Sequence, residues 1–325
     1  MSADSDRTDP TISEARSACR AWLINIFVIS SAIVIAMLKI QKLRVETSDF
    51  LFISSVVSIL VIPTIFYRMW RPESRTQRRM HEFYENSLLF SAISVLGVLA
   101  SYPAAAATTG FADSSLEQLD RLMHFDWIDC YRFVARHPSL QRSCALAYDC
   151  IFVSPFLLLG YFAWTHRGAE AERFLLTYWV GIVLTLILFP LFPAEGPLAY
   201  LWRGPIPYMP TSALYQEQII PALRSHRITA VDLGALRGLV CAPSFHTVAG
   251  VLYMLAAWPW SRLRWIVVSI NIAMLSATPI EGTHYLTDMI VGLFVAVTAH
   301  IAVTRFLEFS SLTGAASTMA TPVPS

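Results

Sequence analysis

The sequence predicts an all-α polytopic membrane protein of about eight transmembrane helices. Of 325 residues, 55% are hydrophobic and only 14% charged, and the mean hydropathy is +0.52. The charges are bunched into short segments that leave long uncharged windows between them. Those windows are continuously apolar, without the alternation of a lumen-facing strand, so helices are expected in place of a barrel. The same arithmetic excludes a water-soluble α/β enzyme, a coiled coil and a disordered chain. A formal net charge of +1 gives no electrostatic case for a nucleic-acid partner.

A helix rising about 1.5 Å per residue needs roughly 20 apolar residues to cross a hydrocarbon core about 30 Å thick. Residues 1–20 read as a polar, disordered cytoplasmic tail. Ala21–Leu38, fenced by Arg20 and Lys39, is the first crossing, and Phe50–Tyr67, fenced by Asp49 and Arg68, is the second. The third lies within Asn86–Ala112, and the fourth covers Cys150–Thr165 and takes in Asp149. Phe174–Ala194 is the fifth and Ser244–Trp260 the sixth. Trp265–Ile280 and His284–Val303 close the bundle as a tight hairpin, and residues 306–325 read as a second disordered tail. The first apolar run is too long to be a cleaved signal peptide and has no small-residue cleavage site after it.

The densest basic cluster follows the second crossing and holds Arg68, Arg71, Arg75, Arg78 and Arg79. Placing it in the cytoplasm puts both termini inside. Two long polar stretches, 113–142 and 195–242, then share the outer face. In the first, Leu116, Leu119, Leu122 and Phe125 recur at helical spacing, while Trp127, Tyr131 and Phe133 suit headgroup depth. That pattern predicts an interfacial amphipathic helix, either capping the bundle or acting as a lid over a gate for lipids. Cys130 and Cys144 can pair if this face is oxidising, Cys241 reads as a small packing residue, and no zinc-ligand spacing is present.

Ionisable side chains at the mouths of membrane helices are costly unless paired or hydrated, which makes each a functional candidate. His246 stands where the second loop enters the sixth helix, and His284 and Asp288 stand where the hairpin enters the eighth. Both helices start from the outer face, so all three side chains are expected at one depth. His284 and Asp288 are four apart, so on a helix the carboxylate can hold one imidazole nitrogen and leave the other free. Gly250 and Gly292, each four residues further on, would let the two helices approach closely. Pro243 and Ser244 mark a helix start, where a serine can cap and outward N–H groups suit a phosphate.

Pro243-Ser244-Phe245-His246-Thr247 followed by His284-Tyr285-Leu286-Thr287-Asp288 resembles the second and third motifs of the type 2 phosphatidic acid phosphatase (PAP2) superfamily. The bulky residue between Ser and His, the His-Tyr pair, and Phe192-Pro193-Ala194-Glu195-Gly196-Pro197 are similar to the inositol phosphorylceramide synthase and sphingomyelin synthase branch. The resemblance covers residues 110–305 as a six-helix core. Residues 21–109 carry the N-terminal transmembrane helices, of which the third begins that core. The implied function is a membrane phosphotransferase that moves a phosphate or phospho-headgroup between lipids, with membrane lipids as its partners and its site on the extracytoplasmic face.

In that implied mechanism His284 attacks phosphorus to form a phosphohistidine, Asp288 orients it, and His246 serves as acid and then base. Ser244 and nearby N–H groups hold the nonbridging oxygens, and no metal or other cofactor is needed. Two departures stand out. Thr278 replaces the arginine expected six residues before His284, and the first motif's cations have no clear counterpart. Arg203, Arg224, Arg227 and Arg237 of the outer loop are the candidate replacements, Arg237 first among them. Glu195 either positions an acceptor hydroxyl or faces solvent. Two alternatives stay open: a phosphatase for lipid phosphates or polyprenyl diphosphates, and a transporter using His246, His284 and Asp288 as a proton or metal site.

Overall fold

The computed structural model describes residues 10–46 and 74–319, and among these it forms eleven α-helices and one two-stranded ribbon. Six helices are long and apolar enough to cross a membrane. They are α1 (Pro10–Ile40), α2 (Arg75–Ala106), α5 (Pro138–Trp164), α6 (Gly168–Leu188), α10 (Ser261–Glu281) and α11 (Leu286–Met319). Between them lie α3 (Asp113–Leu122), α4 (Trp127–Ala135), α7 (Pro197–Leu201), α8 (Gln216–Arg224) and α9 (Phe245–Ala257). The expected second crossing, Phe50–Tyr67, lies outside the described residues.

Two expected tails are partly helical instead. α1 starts at Pro10 and α11 runs on to Met319, past the residue 306 at which a tail was expected. Once a helix is nucleated in its apolar part, it extends at little cost into polar residues that contain no proline. α2 starts where Ser74 and Gln77 cap each other's backbone reciprocally, and the fourth crossing begins at Pro138, a residue pre-set for a first helical turn.

At the expected sixth crossing, Ser244–Trp260, the helix is shorter than the apolar run. α9 has 13 residues, which rise about 20 Å, short of a bilayer core. The apolar run Ser244–Trp260 is real, but the chain leading into it descends into the bundle as irregular backbone, with Leu239, Cys241, Ala242 and Ser244 all buried. The helix mouth is therefore buried within the protein.

Polar pairs and small residues set the packing. α9 is held between α6, α10 and α11, while α5 lies along α10. Buried Asn271 of α10 donates to Ser154 of α5 at 2.9 Å, an interhelical bond that a hydrocarbon setting leaves without competing water. A built Cβ at Gly292 of α11 would lie 2.6 Å from the backbone oxygen of Ser244 and 3.0 Å from Thr247, so α9 and α11 touch there. Gly250 does not share that seam, contrary to expectation; its face meets Met274 and Leu275 of α10.

α1 runs parallel to α2, with Leu23 packed alongside Phe90 and Ile93, and Val34 and Leu38 in the cluster of Ala100 and Tyr102. Arg20 fastens the pair at one end by an ion pair to Glu85 at 2.9 Å and lies 3.9 Å from buried Glu172 of α6. At the other end β1 (Arg44–Glu46) pairs in parallel with β2 (Ala230–Asp232). That ribbon puts the end of α1 on the same face as the long 195–242 loop.

The two glycines give a contrast that stability can read. Gly292→Ala presses a methyl on rigid backbone and should lower stability by roughly 1–3 kcal/mol. Gly250→Ala meets the flexible end of Met274 and should cost clearly less. Thermal unfolding of both variants in detergent checks the order.

Candidate active site

The site is built at the mouths of α9 and α11, and helix α3 holds it from outside. The leucine spacing led to an expected stripe of Leu116, Leu119, Leu122 and Phe125. In the structure only Leu116 of α3 is buried, while Leu119 and Leu122 are 46% and 75% exposed. The helix stops at Leu122, His124 takes a positive φ of 59°, and α4 restarts at Trp127 under the cap of Asp126. The inward face of α3 is Asp113, Leu116 and Asp120, so the stripe is shared between a leucine and two carboxylates.

Those carboxylates accept from backbone rather than from cations. Asp120 takes the N–H groups of Leu286 and Thr287 at 2.9 and 2.8 Å and the Thr287 hydroxyl at 2.6 Å. It thus caps α11 from another helix, with its charge at the positive end of the α11 dipole. Asp113 accepts from Glu195 N at 3.1 Å, Gly196 N at 3.0 Å and the Tyr285 hydroxyl at 2.9 Å. Burial pushes the Asp113 carboxyl up, and these donors pull it back; burial also raises the Tyr285 phenol, with Asp113 adding to the rise. Gly196 has φ 95° and its built Cβ would sit 3.0 Å from Thr283 O, so the Phe192–Pro197 element and the α10–α11 turn meet where only glycine fits.

On this frame His246, His284 and Asp288 come together. Nδ1 of buried His284 lies 3.2 and 3.3 Å from the two Asp288 carboxylate oxygens, and Oδ2 also accepts from Tyr285 N at 3.0 Å. The Asp288 carbonyl accepts from Ser244 N at 3.1 Å, so one residue links the starts of both helices. The His246 ring stands edge-on to His284 with centroids 5.6 Å apart, and its other side stacks on Tyr148 of α5 at 4.5 Å. The Tyr148 hydroxyl is 3.5 Å from His246 Nδ1.

The remaining expected contacts distribute differently. Ser244 is fully buried, and its hydroxyl accepts from Thr247 N as the cap of α9. Phe245 turns into the core, 5.8 Å from Tyr178. Arg237 is exposed, and its guanidinium lies over Tyr215 at 5.1 Å. Arg224 is spent on Thr108 and the Gly110 carbonyl, and Arg203 and Arg227 bond locally. Among the described residues no guanidinium contacts His246, His284 or Asp288. Glu195 is half-buried; its backbone contacts Asp113, and burial followed by the charge of Asp113 raises its carboxyl. Asp149 is exposed and has no interhelical hydrogen bond among the described residues; its neighbour Tyr148 is the inward residue. Trp127 and Tyr131 are buried and donate to Pro279 O and Tyr208 O, whereas Phe133 is exposed. Cys130 and Cys144 are free thiols.

Sequence reasoning missed Tyr148, Asp113, Asp120 and Glu281. Glu281, fully buried, accepts from the Tyr208 hydroxyl at 2.7 Å and from the N–H and hydroxyl of Thr211 at 3.0 and 2.8 Å, which pins the outer loop to the end of α10. The available signal for the aspartates was their spacing: Asp113, Leu116 and Asp120 follow i, i+3, i+7.

A family model described as the PAP2 superfamily matches residues 114–302. No curated protein and no solved structure matches the chain.

The cap supplied by Asp120 is open to test. Asp120→Ala should lower stability by about 1–2 kcal/mol through loss of the cap. Asp120→Asn, which keeps an acceptor oxygen, should lose less. Equilibrium unfolding of the two variants in detergent reads the difference.

Proposed function

The chain belongs to the PAP2 superfamily, and from that membership we propose that it is an integral membrane lipid phosphotransferase working through a phosphohistidine on His284. The observation that carries the reading is the His284–Asp288 contact beside the edge-on ring of His246.

With Nδ1 turned to Asp288, Nε2 of His284 is the atom left to attack. Its lone pair forms the N–P bond as the donor's P–O bond breaks. The leaving oxygen takes its electron pair from that bond and a proton from His246. Asp288 stabilises the imidazolium that develops, while Tyr148 holds the plane of His246. In the second half His246 accepts the proton of an acceptor hydroxyl, the oxygen attacks phosphorus, and the N–P electrons return to His284. The first-turn N–H groups of α9 supply dipolar stabilisation of the nonbridging oxygens. Arg237 is the outer-loop cation assigned to the incoming phosphate, and Glu195 the group assigned to the acceptor.

Within the superfamily, the inositol phosphorylceramide and sphingomyelin synthase branch is favoured by Phe245, by the His284-Tyr285 pair and by Phe192–Pro197. Here Phe245 and Tyr285 have structural partners in Tyr178 and Asp113. The reading takes residues 110–305 as catalytic core, a span that contains the matched 114–302. It places the site on the extracytoplasmic face, because Arg75, Arg78 and Arg79 open α2 at the end of the bundle opposite the site.

His284→Ala should abolish turnover, and His246→Ala should slow it by about 10²–10⁴-fold, with folding verified for each. The deciding assay supplies a headgroup-labelled lipid with and without an alcohol-bearing lipid acceptor. Label reappearing in a second lipid is expected. Label released only as a water-soluble phosphate or phospho-headgroup makes water the acceptor and the protein a hydrolase, and full activity in His284→Ala overturns the mechanism.

A further inference from the structure

We propose that Cys241, His284 and Asp288 form a binding site for a soft divalent cation, with zinc the best fit, and that its occupancy arrests the transfer reaction. The second clause rests on the function proposed above.

The donor atoms of the three residues all lie within 4.8 Å of one another, and all three residues are buried. Cys241 Sγ is 3.9 Å from Asp288 Oδ2, and His284 Nδ1 is 3.2 and 3.3 Å from the two carboxylate oxygens. Tetrahedral zinc, with bonds of about 2.3 Å to sulfur and about 2.0 Å to nitrogen or oxygen, asks for donor separations of roughly 3.3–3.7 Å. The His284–Asp288 separations already match, and the Cys241 sulfur, 3.9 Å from the carboxylate, has to move inward. The chemistry fits as well: thiolate, imidazole and carboxylate together select zinc over magnesium or calcium.

Two further observations point to a cation. Asp288 Oδ1 is a buried oxygen that makes no hydrogen bond of its own: its neighbour at 3.2 Å, His284 Nδ1, is bonded to the other oxygen, which also receives Tyr285 N. Cys241 is a thiol placed against a carboxylate, and it also points at the Thr283 carbonyl at 3.8 Å. Binding of a dication displaces two protons: the S–H proton leaves to solvent as the S–metal bond forms, and the Nδ1 proton of His284 moves to Nε2 as the N–metal bond forms. The thiolate and carboxylate then neutralise the charge of the ion, as a buried site requires. His246, stacked on Tyr148, is not a ligand; three protein donors leave the fourth position to water.

Inhibition follows from which atoms the cation takes. It replaces the Asp288–Nδ1 contact and withdraws electrons from the ring whose Nε2 must attack phosphorus. Cys241 has no part in the transfer itself, so its replacement separates cation binding from chemistry.

The test is cobalt(II) titration of the full-length protein in detergent, stripped of metal beforehand. The expected result is one equivalent of cobalt with a thiolate-to-cobalt charge-transfer band and tetrahedral d–d bands. Cys241→Ser should lose the charge-transfer band, and a variant keeping Cys241 as its single cysteine should retain it, which guards against misfolding in the first variant. In the lipid assay zinc should inhibit the parent protein at concentrations at least tenfold lower than it inhibits Cys241→Ser, with reversal by a chelator. Absence of the band, its persistence in Cys241→Ser, or activation by zinc would each overturn the proposal. A cobalt band in a protein without transferase activity would uphold the cation site and overturn both its inhibitory consequence and the reading of the reaction.

Discussion

One residue, Asp288, fixes the geometry of this site. Its side chain holds the imidazole of His284 and the N–H of Tyr285, and its carbonyl receives the N–H of Ser244 at the mouth of the neighbouring helix. The start of α9 and the start of α11 are thus set against each other by atoms of a single residue, and Gly292, one turn further on, lets the two backbones close beneath it. Take the side chain away and the His284 ring is free to turn; move the backbone and His246 is displaced relative to it.

The wider frame uses the same device at a distance. Asp113, Asp120 and Glu281 are buried carboxylates, and each receives backbone N–H groups and hydroxyls where a chain segment turns or a helix begins. A carboxylate accepting two or three such bonds is held in place without a cation beside it, because its lone pairs are saturated by fixed dipoles. That explains how the bundle can bury these acids close to its reactive centre although, among the described residues, no guanidinium pairs with Asp113, Asp120 or Glu281. The acids act as fasteners. They bring α3, the Phe192–Pro197 turn, the 205–215 segment and the α10–α11 turn to one point.

What the sequence made legible followed from short-range rules. Charge-free windows located the long helices, since hydrocarbon length imposes a residue count, and the four-residue step from His284 to Asp288 put both on one helical face. The reach of α9 was not legible: its apolar run is long enough for a crossing, but where the helix starts is decided by Ser244 capping and by a loop that descends into the bundle, which are tertiary facts. The inward face of α3 was misread for a related reason. Leucine spacing assumes that the buried stripe is apolar, whereas here it carries aspartates whose partners lie roughly 80 to 170 residues away in the chain. Tyr148 was hidden by its neighbour, because Asp149 is the more conspicuous residue in an apolar run and yet faces outward.

The 195–242 loop is long, yet it is pinned along its length: at Glu195 and Gly196 by Asp113, at Tyr208 and Thr211 by Glu281, at Arg224 by Thr108, at Val231 by the ribbon with β1, and at Arg237 and Leu239 by Tyr102 and Ser101. Closure entropy grows only slowly with length, so a chain divided this way is a series of short tethers, each with its own small cost of opening. One tether can open and reclose while its neighbours stay fixed, so the loop above the two histidines can yield to a bulky molecule in one sector without disturbing their alignment.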